Sequence, residues 1–210
     1  MAPSELTAQG RATRERIVAA AATMIAERGA SGTSLDAIRA ATKASKSQLY
    51  HYFGDKRGLV RAVIDYQSAA VLEAQAEALG AVGDWKGLER WADAMVAAVE
   101  ARGGRGGCPI GTLAAAVSDT DERFRAALSD AFETWSDAIG AALGRLRDHG
   151  LLAPDADLEA LTTVTLAAIQ GGLLLAKTRR ESAPLRAALD GAIAHLRARG
   201  APPRTRARRR

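Results

Sequence analysis

Residues 46–52 carry side chains that suit contacts to a nucleic acid better than packing inside a protein. The stretch reads Lys-Ser-Gln-Leu-Tyr-His-Tyr, and only Leu49 in it is clearly apolar. Small polar side chains near the start of a helix can reach base edges in a major groove, while hydroxyls and cations hold phosphates. The dipole at the helix N-terminus adds attraction for phosphate. The stretch therefore favours a helix that reads DNA over a helix that only packs.

A second group of residues with possible chemistry is mainly apolar and lies later in the chain. It comprises Trp91, Met95, Cys108, Phe132, Trp135 and Gln170. Small-molecule pockets are mostly apolar with few polar groups, and Gln170 would supply one such group inside an apolar run. The group is a candidate pocket for a neutral aromatic or lipophilic ligand, because it holds no cluster of cations or acids. Plain core packing explains the same residues equally well, and a neighbouring helix could bond Gln170.

The single cysteine, Cys108, has two interpretations. It stands directly before Pro109, which suits the first position of a helix. A cysteine at a helix N-terminus can have a lowered pKa, which would suit a redox sensor. A small buried hydrophobic residue is the other interpretation.

The spacing of apolar residues predicts the helices that position these side chains. Ile17, Ala21, Met24 and Ile25 fall on one face and predict a helix over 13–28. Thr33 and Ser34 introduce a second helix over 34–42, and Ser45 can cap a third over 45–52. Two short helices joined by a three-residue break and braced by a first helix fit a helix-turn-helix.

The rest of the chain also has helical spacing. It predicts helices over 56–79, 86–102, 121–149, 155–180 and 184–198, with a short one opened by Pro109. Alanine, the best helix former, accounts for 48 of the 210 residues. No strand-like alternation of any length occurs. The predicted fold is all-α, with an N-terminal three-helix helix-turn-helix domain and a larger C-terminal helical domain.

Charge is divided unevenly along the chain. Residues 1–62 carry a net charge of +5, residues 63–196 carry −7 and residues 197–210 carry +7. A basic N-terminal part on an acidic body suggests a module that meets a polyanion. The Arg-rich segment 199–210 is predicted to be a disordered tail. Residues 1–10 lack helical periodicity and are expected to form a frayed N-terminal segment without stable structure.

Composition argues against several other classes of protein. One Cys and three His leave little material for a disulfide framework or a metal site. No signal peptide and no long apolar run stand out, which favours a cytoplasmic protein with no membrane partner. No nucleophile–base pair has a recognisable spacing, so neither an enzyme nor a cofactor is expected. A helical carrier of small molecules remains an alternative, although a carrier does not need the polar third helix.

The segment around the third helix resembles the TetR family of one-component repressors. The resemblance rests on Thr33-Ser34, on Ser45-Lys46-Ser47-Gln48-Leu49-Tyr50-His51-Tyr52-Phe53, and on Lys56 and Leu59, and it covers residues 13–64. It implies that Leu49 and Phe53 are core residues and that Ser47 and Gln48 read bases. By the same resemblance, the residues expected to touch DNA phosphates or bases are Ser34, Ser45, Lys46, Tyr50, His51, Tyr52 and Lys56.

Two positions depart from the family pattern. Lys43 stands in the turn where the family usually has glycine, which strains the turn if a positive φ is needed there. Ser47 replaces the glycine of the family's recognition helix and adds a hydroxyl that could change base preference.

The resemblance also implies an architecture for function. Residues 1–64 would bind palindromic double-stranded operator DNA, and residues 65–198 would form a homodimer and take a small apolar or aromatic effector. The helices at 155–180 and 184–198 are predicted to make the dimer contact, through Leu161, Leu185, Leu189 and Ile193. Regulation through oxidation of Cys108 is an alternative to an effector.

Overall fold

The computed structural model describes residues 6–29 and 32–200, and within these ranges the chain forms nine α-helices. Their bounds are α1 Ala8–Arg28, α2 Leu35–Thr42, α3 Lys46–Phe53, α4 Lys56–Gly80, α5 Trp85–Ala101, α6 Pro109–Val117, α7 Glu122–Asp148, α8 Leu158–Arg179 and α9 Ala183–Ala198. The prediction of an all-α fold that begins with a helix-turn-helix is confirmed. Most of the Arg-rich tail, residues 201–210, lies outside the described residues.

Side-chain caps decide where several helices begin. The Thr7 hydroxyl accepts the backbone N–H of Gly10 at 3.1 Å, so α1 starts at Ala8 and not at residue 13. The expectation of a frayed N-terminal segment is therefore wrong from Thr7 onward. Ser34 caps α2 in the same way, and the Asp84 and Asp157 carboxylates cap α5 and α8. Each such bond satisfies a backbone donor that the first turn leaves open.

The chain forms two compact units, and α4 and α7 each contribute to both. The N-terminal unit contains residues up to Glu73 together with Cys108–Glu133. Its core is built from Ile17 on α1, Ile38 on α2, Leu49 on α3 and Leu59 on α4, all nearly inaccessible to solvent. Leu49 lies on the side of α3 that packs into this core, so the polar side of α3 faces away from it.

The C-terminal unit contains Ala74–Gly107 and the described residues from Thr134 onward. Helices α8 and α9 pack closely, and the backbone of Leu185 lies so near Gly172 that a Cβ there would approach its Cα to 2.9 Å. The Arg145 guanidinium donates to the carbonyls of Leu79 and Val82 and thereby joins α7 to the end of α4. A single antiparallel bridge links Leu152 to Gly200.

Helix α8 is long and apolar enough to cross a membrane by length and composition alone. In the apolar 18-residue stretch of this helix, 33% is buried inside the chain. The arrangement of its exposed apolar residues is described with the candidate site.

Candidate functional site

Helix α3 presents its polar face because its two apolar residues hold it against the N-terminal unit. Leu49 and Phe53 are buried, one turn apart. The Arg14 guanidinium lies over the Phe53 ring at 5.4 Å from its centroid, which adds a cation–π contact. The opposite face exposes Lys46, Ser47 and His51, and Tyr50 is 51% exposed.

The remaining residues predicted to meet DNA lie at the ends of neighbouring helices. Ser34 and Ser45 are the exposed N-caps of α2 and α3, and exposed Lys56 begins α4. Tyr52 is half-buried and its ring packs edge-on against those of His51 and Phe53. Helix N-termini, hydroxyls and a lysine are groups that bind phosphate. This face thus combines groups that can donate hydrogen bonds to phosphate with side chains long enough to reach base edges.

Gln48 has a structural role that the sequence analysis missed. Its Oε1 accepts the backbone N–H of Ser45 at 2.9 Å, while the Ser45 hydroxyl accepts the N–H of Gln48 at 3.1 Å. This reciprocal pair is a capping box, and Ser-x-x-Gln at 45–48 is its sequence signature. The amide nitrogen of Gln48 is not used by the box, so a donor remains for a base.

The turn between α2 and α3 uses a left-handed residue at Lys43, so the condition under which its side chain would strain the turn is met. Lys43 has φ +54° and ψ 22°. This conformation costs a non-glycine residue about 1–2 kcal/mol. The Arg16 guanidinium donates to the carbonyl of Thr42, directly before Lys43, and so helps to hold the turn.

Gly58 lies so close to the end of α3 that only glycine fits. A Cβ at this position would stand 1.9 Å from the carbonyl oxygen of Phe53. The Asp55 carboxylate accepts the backbone N–H of Gly58 at 2.8 Å and fixes the same corner. The angle at which α4 leaves α3 therefore depends on Gly58.

We expect Gly58→Ala to destabilise the protein by about 1–3 kcal/mol, because a backbone clash must be relieved by moving α3 or α4. Urea denaturation measures the loss. The matched control is Gly80→Ala in the same helix, where a Cβ meets no atom within 4 Å. That control should gain up to about 1 kcal/mol from helix propensity. Equal effects of the two substitutions would contradict the tight corner.

Asp121 forms an ion-pair cluster that the sequence did not reveal. Its side chain is only 11% exposed and lies 3.0 Å from Arg123 and 3.7 Å from Arg57. Hydrogen bonds from Arg123 hold the pKa of Asp121 below its ordinary value. A carboxylate whose pKa is lowered by folding stabilises the folded state at neutral pH. This contribution is lost as the pH falls through the lowered pKa. Through this cluster Asp121, which directly precedes α7, contacts Arg57 in the first turn of α4.

The residues predicted to bind an effector are divided between the two units. Trp91, Met95, Trp135 and Gln170 belong to the C-terminal unit, whereas Cys108 and Phe132 belong to the N-terminal unit. Trp91 and Trp135 are buried, and Met95, Phe132 and Gln170 are half-buried. The Trp91 Nε1 donates to Gln75 Oε1 at 3.2 Å. Cys108 is buried at the N-terminus of α6, and its Sγ accepts the N–H of Gly111 at 3.3 Å.

The residues predicted for a dimer contact lie mainly inside a single chain. Leu161, Leu185, Leu189 and Ile193 are all buried within a single chain. A side chain that one chain already buries cannot be covered again by a partner. These four residues therefore contribute mainly to the core of one chain, and a partner that meets α8 and α9 would contact chiefly their exposed positions.

The exposed apolar residues of α8 lie on the side opposite its buried ones. Val164, Leu174 and Leu175 are 45%, 64% and 46% exposed. Small exposed residues accompany them, namely Ala167 and Gly171 on α8 and Ala187, Gly191, Ala194 and Ala198 on α9. An open groove of about 530 Å³ is bordered by Ala160 and Val164 of α8 and by His195 and Ala198 of α9. Because residues of both helices border this groove, the exposed apolar and small residues of α8 and those of α9 lie on the same side of the C-terminal unit. Together these residues are called the α8–α9 face.

No three His, Cys, Asp or Glu side chains within the described ranges stand close enough to hold a metal ion.

Family models match both parts of the chain. Residues 17–63 match the model for bacterial regulatory proteins of the tetR family, and residues 85–191 match the C-terminal domain of LmrA/YxaF-like transcriptional regulators. A helix-turn-helix transcriptional regulator of Mycobacterium tuberculosis (strain H37Rv) is 32% identical over 180 residues, which are 82% of this chain and 88% of that protein. The regulator LmrA of Bacillus subtilis is 28% identical, over 82% of this chain and 90% of LmrA.

Solved structures share the fold. A regulatory protein TetR from Rhodobacter sphaeroides superposes with a TM-score of 0.78 at 24% identity, over 87% of this chain and 97% of that one. The reduced form of NemR from Escherichia coli gives a TM-score of 0.72 at 25% identity, over 92% of this chain and 99% of NemR.

Proposed function

The chain belongs to the TetR family of transcriptional regulators, and we propose that it is a cytoplasmic repressor that binds a palindromic operator as a homodimer. A small, mainly apolar effector would release it. The observation that carries the proposal is the polar face of α3, held outward by Leu49 and Phe53. A helix that served only to pack would not expose this combination of hydroxyl, amide, imidazole and ammonium groups.

Fluorescence anisotropy with a labelled duplex from the region upstream of the protein's own gene tests DNA binding. We expect tight binding to that duplex and much weaker binding to an unrelated duplex of the same length. Equal affinity for both, or no binding, would contradict the proposal and favour a helical carrier.

Gln48→Ala is expected to relax operator sequence preference at one position by about 1 kcal/mol, because its free amide nitrogen can donate one hydrogen bond to an acceptor on a purine edge. Binding to a set of single-base operator variants measures the change. Gln48→Glu keeps the acceptor that caps Ser45 but removes the amide donor, so it separates base reading from capping. Lys56→Ala should instead weaken all variants alike. An unchanged ranking of variants in both Gln48 substitutions would contradict the base-reading role.

The α8–α9 face supports the homodimer. Exposed Val164, Leu174 and Leu175 form an apolar patch, which in a soluble chain commonly marks an interaction site. Small residues such as Gly171 and Ala194 allow helices of a second copy to approach closely. A contact of this face with its own copy would be isologous and would match the two-fold symmetry of a palindromic operator.

Helix α4 is a candidate route for the effector's signal, because it follows the recognition helix and contributes residues to both units. Operator half-sites one turn apart require recognition helices roughly 34–36 Å apart. An effector that moved α4 by a few ångströms would change this spacing and so weaken binding.

Regulation through Cys108 is a second candidate, favoured by the position of its sulfur at the start of α6. A thiolate at a helix N-terminus is stabilised and reacts more readily with oxidants. Operator binding before and after mild peroxide treatment, in the native chain and in Cys108→Ser, separates the candidates. If peroxide releases the native chain but not Cys108→Ser from the operator, regulation by oxidation is favoured. If peroxide leaves the affinity of the native chain for the operator unchanged, regulation by an effector alone is favoured.

A further inference from the structure

Two cations stand side by side at the start of α4, where the helix dipole is itself positive. Lys56 and Arg57 are both exposed, and the first turn of α4 contains no acidic residue. Cations at a helix N-terminus are unfavourable unless an anion lies close to them. Of the two, only Arg57 forms an ion pair among the described residues, since its Nε lies 3.7 Å from a carboxylate oxygen of Asp121. Lys56 is therefore left for an anion outside the chain.

Asp121 is held firmly by the start of α7. Its side chain is only 11% exposed, and its Oδ1 accepts the backbone N–H of Arg123 at 3.0 Å. The Arg123 guanidinium donates to both carboxylate oxygens, at 3.2 and 3.0 Å. These hydrogen bonds hold the pKa of Asp121 below its ordinary value, so the carboxylate is charged at neutral pH. Arg57 thus meets a fixed anion.

The turn of α4 that carries Arg57 also carries a group expected to meet DNA. Lys56 directly precedes Arg57, and Gly58 directly follows it. A Cβ at Gly58 would stand 1.9 Å from the carbonyl oxygen of Phe53, at the end of α3. A shift of this turn would therefore displace Lys56 and disturb the contact of α4 with α3.

We propose that Asp121 is a positioning residue for operator binding, which acts through Arg57 to hold the first turn of α4 where Lys56 meets phosphate. The proposal rests on the proposed function, since it concerns the same DNA interface. A carboxylate close to DNA repels phosphate, so an Asp121 without a positioning role would weaken binding and its removal would strengthen it. The two alternatives predict effects of opposite sign.

Asp121→Asn removes the charge and keeps the start of α7, because an asparagine oxygen can still accept the N–H of Arg123. Fluorescence anisotropy measures the affinity for the duplex from upstream of the protein's own gene and for an unrelated duplex of the same length. We expect the ratio of the two affinities to fall by about threefold to tenfold. An ion pair with one exposed partner contributes up to about fivefold, and the proposed homodimer contains two such pairs.

Two controls remove similar charges from other positions. Asp119→Asn changes an exposed carboxylate two residues before Asp121 and should leave the affinity ratio unchanged. Arg61→Gln breaks an ion pair with Asp65 that lies entirely within α4, at 2.9 Å, and should also leave the ratio unchanged. Because both affinities respond to net charge, their ratio reports position rather than charge.

A double-mutant cycle tests whether Asp121 acts through Arg57. Arg57→Gln should lower the affinity ratio by a factor similar to that of Asp121→Asn, and the double variant should lower it no further. A residue that merely stabilised the fold would instead give losses that add. Arg57 is 67% exposed, so Arg57→Gln keeps the fold even if Asp121→Asn does not.

An affinity ratio that stays unchanged or rises in Asp121→Asn or in Arg57→Gln would overturn the proposal, as would additive losses in the double variant. Equal loss of affinity for both duplexes would also overturn it, because that result reports a smaller folded fraction and not a displaced contact. The native chain separates this failure from failure of the proposed function. If the native chain prefers its upstream duplex while the variants keep that preference, the repressor stands and the role of Asp121 falls.

Discussion

Raising the salt concentration from 50 to 200 mM is expected to weaken operator binding by a factor of about 10³ or more. The described N-terminal helices expose Lys43, Lys46 and Lys56 on or beside the proposed DNA face, and a dimer doubles their number. Each phosphate that a cation neutralises contributes about −0.9 to the slope of log K against log salt concentration. A slope near zero would contradict the DNA interface.

Single substitutions measure how much each lysine contributes to this salt dependence. Lys46→Ala and Lys56→Ala should each lower its magnitude by about 1 per half-site, because each removes one phosphate contact. Lys86, exposed on α5 in the C-terminal unit, is the matched control. Lys86→Ala removes the same charge and should leave the slope unchanged. A slope that falls equally in all three variants would mean that net charge, and not this interface, governs binding.

Leu174→Glu is expected to convert the proposed homodimer to a monomer and to weaken operator binding by about 100-fold or more. Leu174 is 64% exposed in one chain, so the substitution leaves the fold of that chain intact. A charge buried at a dimer contact without a partner costs several kcal/mol, or about two to three powers of ten in the association constant. Light scattering and anisotropy measure the two effects.

Two controls make the result specific for the α8–α9 face. Ala97→Glu adds the same charge at an exposed position of α5 and should change neither mass nor affinity. Leu189→Asp, at a position buried within one chain, should unfold the protein rather than yield a folded monomer. A Leu174→Glu protein that remains dimeric and binds the operator would place the interface elsewhere.

The sequence determined the helix-turn-helix because each decision there is local. Caps, breaks and apolar spacing act over three or four residues, and all of them lie within 33–59. Lys43 was marked from the sequence as a position that would be strained by a positive φ, and the structure shows that it has one. The capping box of Ser45 and Gln48 could also have been found, since its signature spans four residues.

Only the tertiary structure decided which apolar residues of α8 and α9 belong to the core and which to a surface. Both sides of α8 are apolar near Val164 to Leu175, so periodicity fixes its helical form but not which side meets α9. Packing against α9 buried Leu161 and Leu189 and left Val164 and Leu174 exposed. The role of Gly58 was hidden for a related reason. Its close approach to Phe53 depends on atoms of another helix, and sequence spacing does not encode their positions.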